Sequence, residues 1–105
     1  MKQLESSWTD VVLVCRKCSK KLGGGFGEKG ETRLAKLLRH GLALRKKKMR
    51  KARLGVLEVG CLDICPKNGV TALRTGSPGD WVVIPKGSTL AEIAARLGLA
   101  MPQEE

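Results

Sequence analysis

Two short apolar runs, each leading into a pair of cysteines, constrain this chain more than any other feature. "DVVLVCRKC" (residues 10–18) carries Cys15 and Cys18, and "LGVLEVGCLDIC" (residues 54–65) carries Cys61 and Cys65. Residues 11–14 are mostly β-branched and apolar at every position, which suits a strand buried between two layers. Residues 54–59 read as a second short strand, with Val56, Leu57 and Val59 as its main apolar content. Between them Leu34, Leu37, Leu38 and Leu42 recur at helical spacing, with Arg33, Lys36, Arg39 and His40 on the opposite side. Strand, helix and strand over this length read as a crossover unit, so the two strands are expected to run parallel. Both cysteine pairs then reach the same edge of the sheet, where open α/β sheets usually place ligands.

The remaining segments complete the pattern. Residues 1–9 form a polar lead-in. Residues 19–30 hold five glycines and three lysines and are expected to be an exposed loop. "RKKKMRKAR" (residues 45–53) has seven basic residues in nine and reads as a solvated face. Residues 70–75 and 81–85 are two further strands, joined by "GSPGD" as a hairpin loop. Thr89 and Glu92 have the spacing of a capping box. Leu90, Ile93, Ala94 and Leu97 make the buried stripe of a final helix, and Gly98 stands at its C-cap. The order is β-α-β-β-β-α: one α/β domain over residues 10–98, a mixed four-stranded sheet with helices packed on it, and a tail at 99–105.

Bulk properties narrow the function classes. A chain of 105 residues should bury roughly two-thirds of its unfolded surface, enough for one core. The net charge of +10 favours acidic partners. The N-terminus lacks the apolar segment of a secretory signal, and the longest apolar run is about five residues against roughly 20 for a membrane span. A cytoplasmic setting is therefore expected, where clustered cysteines more often bind metal or do redox chemistry than form structural disulfides. Nucleic-acid binding meets the charge criterion but lacks a stacking platform, since Trp8, Trp81 and Phe26 are scattered. Asp63 and Glu58 lie near the second cysteine pair without a base or nucleophile to work with. The glycines at 23–25 lack the lysine–serine ending of a phosphate loop, and His40 is expected to be exposed. No enzyme activity is indicated.

Four thiolates at one sheet edge would repel one another unless a metal centre or disulfide pairing relieved the charge. The pattern admits a [2Fe–2S] cluster, a structural zinc, or a redox-active dithiol at Cys15 and Cys18. Lys17, Lys20, Lys21 and Lys67 beside the cysteines favour the negatively charged cluster. A dithiol fits less well, because a glycine-rich loop is expected after Cys18 in place of the helix that usually stabilises such a thiolate.

"VLVCRKC", "CLDICPKNG" and the β-α-β-β-β-α order together resemble the thioredoxin-like [2Fe–2S] ferredoxins. Within that group the chain looks closest to a branch of predicted metal-binding proteins with a C-x2-C first pair. The resemblance covers residues 10–98. It implies a thioredoxin-like scaffold, Cys15, Cys18, Cys61 and Cys65 as cluster ligands, and a role as an electron carrier for an acidic redox partner. The chain departs from the better-studied members in the short spacing of its first pair, which makes Cys18 the least typical ligand.

Overall fold

The computed structural model describes residues 2–44, 51–62, 64 and 66–99. Most of the basic run 45–53, Asp63, Cys65 and the tail from residue 100 onward lie outside the described residues. The first apolar run forms β1 (Asp10–Cys15) and passes without a break into a short helix, α1 (Arg16–Lys21). Then follow α2 (Leu34–Gly41), β2 (Leu54–Val59), β3 (Gly69–Arg74), β4 (Ser77–Pro85) and α3 (Leu90–Leu97). The strands form one mixed sheet in the order β2-β1-β3-β4. β1 and β2 run parallel, in register from Asp10 opposite Leu54 to Cys15 opposite Val59. β3 is antiparallel to β1 and to β4.

Because side chains alternate along a strand and opposed residues share a face, the register sorts the sheet into two surfaces. Val12, Val14, Val56, Val70, Ala72 and Ile84 fall on one face, and each is at most 2% exposed. They join Leu34 and Leu38 of α2 and Ile93 and Leu97 of α3 in a single core. The other face carries Val11, Leu13, Leu57, Leu73, Trp81 and Val83. There Leu57, Trp81 and Val83 are 36%, 42% and 46% exposed. The expectation that residues 11–14 are buried between two layers is thus corrected. α2 and α3 share one core with the first face, while Val11 and Leu13 on the second are half-buried.

Three local expectations also change. Residues 19–21 belong to α1 and not to a loop, and Ser19 is buried. The glycine-rich stretch beyond it is partly core, because Phe26 pairs with Thr32 across a bridge and is fully buried. Gly24 makes that fold-back possible: at φ +98° a Cβ would collide with the Glu31 carbonyl. The β3–β4 connection tightens to Thr75 and Gly76, with Arg74 opposite Ser77, so "SPGD" lies within the strand. Pro78 is tolerated there because β4 is an edge strand.

Asp10 explains the tight turn. Its carboxylate accepts from Gly76 N–H at 2.9 Å, Thr75 Oγ1 at 3.0 Å and Arg74 Nε at 2.6 Å. Arg74 reaches on to the Leu97 carbonyl at 2.9 Å, tying the end of α3 to the sheet. At the opposite edge Arg39 donates to the Val56 carbonyl at 2.8 and 3.1 Å, covering part of the β2 edge. Trp8, in the N-terminal lead-in, lies flat on Gly55: a Cβ at 55 would meet its ring at 2.6 Å. α3 carries the expected capping box at Thr89 and Glu92 and the left-handed Gly98.

Candidate metal centre

The site begins with the ending of β1. Cys15 leaves the strand in an extended conformation and serves as the N-cap of α1, its Sγ accepting from the Cys18 N–H at 3.4 Å. Cys18 therefore sits in the first turn, facing inward, and both thiols are buried. Ser19 Oγ donates to the Cys15 carbonyl at 3.1 Å and closes this turn from within.

The loop that leaves β2 comes to the same place, as expected of parallel neighbours. Lys17 N–H donates to the Gly60 carbonyl at 3.2 Å. The Cys15 thiol makes a long contact with that carbonyl at 3.9 Å, and the Cys18 thiol approaches the Ile64 carbonyl at 3.6 Å. Thr71 Oγ1, fully buried on β3, donates to the same Ile64 carbonyl at 3.0 Å and holds the loop over the end of the sheet. The first cysteine pair and the segment carrying Cys61 are thereby interlocked.

Electrostatics at Cys15 favour the thiolate. Burial pushes its thiol up, but the Cys18 thiol and the N–H groups of Cys18, Leu62 and Lys17 together outweigh burial and hold it below the ordinary cysteine value. The thiolate is the form that ligates metal, and the lowered Cys15 thiol reaches that form more readily than an ordinary cysteine. Arg16, Lys17, Lys20, Lys21 and Lys67 are exposed around it.

Cys61 is exposed, and among the described residues no three His, Cys, Asp or Glu side chains lie close enough to hold one ion. Cys65 lies outside the described residues. His40 is exposed on α2, away from this turn in sequence and on the polar side of its helix. Sequence reasoning missed α1, Ser19 and Thr71. The signal for the two hydroxyls was present: Ser19 is four residues from Cys15, and Thr71 interrupts an otherwise apolar strand.

Among the described residues no helix is long and apolar enough to cross a membrane. Comparison with known proteins finds no matching family model, no matching curated protein and no matching solved structure.

Proposed function

We propose that this protein is a small electron carrier on a thioredoxin-like, ferredoxin-type scaffold, with Cys15, Cys18, Cys61 and Cys65 holding one [2Fe–2S] cluster. The observation that carries the reading is the interlock of two distant cysteine segments, in which Cys18 meets Ile64 and Lys17 meets Gly60. When bound, such a cluster supplies a one-electron couple, with no substrate chemistry asked of the chain. The chain's own part is electrostatic. The N–H groups of Lys17, Cys18 and Leu62 stabilise negative charge on the Cys15 sulfur. Arg16, Lys17 and Lys67 add positive charge that favours the reduced state and so raises the potential.

One observation favours a second reading, thiol–disulfide exchange by Cys15 and Cys18. Cys15 caps a helix that follows the strand at once, and its thiol is held below the ordinary value. The helix expected to be missing is present, so the sequence-level objection to a dithiol is removed.

Metal analysis and visible absorption of protein purified without oxygen separate these readings. Iron and acid-labile sulfide in equal amounts, with visible absorption lost in Cys61→Ser and Cys65→Ser, are expected. A colourless protein holding zinc would replace electron transfer with a structural role. A metal-free protein that exchanges disulfides, and loses this in Cys15→Ser and in Cys18→Ser but keeps it in Cys61→Ser, would establish the dithiol.

A further inference from the structure

The open face of the sheet adjoins the cysteine site. Leu57, Leu13 and Leu73 are directly opposed across β2, β1 and β3, with Leu73 itself buried, and Val83 opposite Thr71 continues the same face onto β4. Trp81 follows Val83 by strand alternation, where the β3–β4 register shifts between Ala72 and Arg74. Cys15 and Thr71 follow on this face, and the loop bearing Ile64, itself 45% exposed, folds over them. Apart from Leu4 in the N-terminal lead-in, every exposed large hydrophobic among the described residues belongs to this surface. Trp81 is held in place: its indole N–H donates to the Pro78 carbonyl at 2.8 Å, so its ring is fixed while 42% exposed. A pre-set aromatic anchor in an apolar field is the usual centre of a protein interface.

Charge decides what such a surface fits. The strand carboxylates Asp10, Glu58 and Asp80 alternate onto the other face, Asp10 against Arg74 and Glu58 against Arg33. Asp80 lines a cleft there with Arg96. The open face thus receives no carboxylate from the described strand residues, while Arg16, Lys17 and Lys67 are exposed at its cysteine end. Two copies would bring together chains of +10 each, which disfavours self-association.

We propose that this face docks a protein partner whose contact surface has an apolar centre ringed by carboxylates. The proposal rests on the electron-transfer reading only in making that partner a redox protein. Docking here would place the partner beside Cys15 and Cys18, and the interfacial charges would add salt-sensitive steering to apolar burial.

The test is selection of a random-peptide display library on the purified protein, followed by affinity measurement of the enriched peptides. Acidic peptides with aromatic or aliphatic residues are expected. Their affinity should fall about tenfold in Trp81→Ala and in Leu57→Gln, and should weaken as salt rises. Leu57→Gln lies on a different strand and keeps the test intact should Trp81→Ala lose its fold by circular dichroism. Enriched peptides without acidic character, or with unchanged affinity for both folded variants, would overturn the proposal. A wild-type dimer in sedimentation that Leu57→Gln dissolves would also overturn it and give the face to a second copy. Iron content of the same sample separates the two claims. An iron-free sample that selects acidic peptides on this face sinks the cluster alone, and an iron-loaded sample that selects none sinks the docking face alone.

Discussion

The two faces of one sheet differ more than the strands that build them. Val12 and Leu13 are neighbours on β1, yet Val12 is fully buried among helix side chains and Leu13 is only half-buried. On β4, Ile84 is 2% exposed and its neighbour Val83 is 46% exposed. Both faces are apolar. α2 and α3 bury the first, whereas on the second Trp8 lies over Gly55 and Leu73 is buried while Leu57, Trp81 and Val83 stay exposed. An apolar residue therefore reports that a surface is to be covered, and does not say by what.

Four substitutions would break or sharpen this contrast, ordered from the largest effect. Leu38→Ala, beneath the covered face, should cost about 2–5 kcal/mol through lost burial and an unfilled cavity. Chemical denaturation would show this as a lower midpoint with an unchanged slope. A loss no greater than that of an open-face substitution would erase the distinction.

Asp10→Asn should cost about 1–3 kcal/mol, since it removes the ion pair to Arg74 and weakens the bonds that shape the turn. It should also change the acid limb of stability. Burial raises the Asp10 carboxyl, but the Gly76 N–H, the Thr75 hydroxyl and Arg74 outweigh burial and hold it below the usual carboxylate value. A carboxyl lowered in the folded state stabilises the protein above its unfolded value, and that stability is lost as pH falls through the lower folded value. In Asp10→Asn this contribution disappears, so the variant's loss relative to wild type should shrink below about pH 4. An equal loss at pH 7 and in strong acid would remove Asp10 from that role.

Thr71→Val should cost about 1 kcal/mol by leaving the Ile64 carbonyl without this donor. Amide exchange should quicken in residues 60–64 more than in β3 itself, and uniform exchange across both would show that the loop is held by other means. Val83→Thr on the open face should change stability by less than about 0.5 kcal/mol. A loss of several times that size would mean the face is covered within the chain.

Legibility in the sequence followed locality. Both ends of α3 were readable because each is set within one turn, Thr89 with Glu92 at the start and Gly98 at the finish. The α2 stripe was readable because Leu34 and Leu38 lie on one helical face. The convergence of the cysteine segments was readable one level up, since a crossover implies parallel strands and parallel strands end together. α1 was hidden because the glycines that follow it dominated the local composition, and because a cysteine sulfur is an uncommon cap.

By itself the chain determined its elements apart from α1 and the start of β4, the parallel pairing of β1 with β2, and the meeting of Cys15 and Cys18 with the segment after β2. These rest on periodicity, capping and connection length, all of which act over short stretches. Only the tertiary structure decided which sheet face the helices bury, how Asp10 and Arg74 tie three elements together, and that Ser19 and Thr71 brace the cysteine site. Those outcomes depend on partners as far apart as residues 10 and 76, and on which side of a strand each residue falls once its register is set.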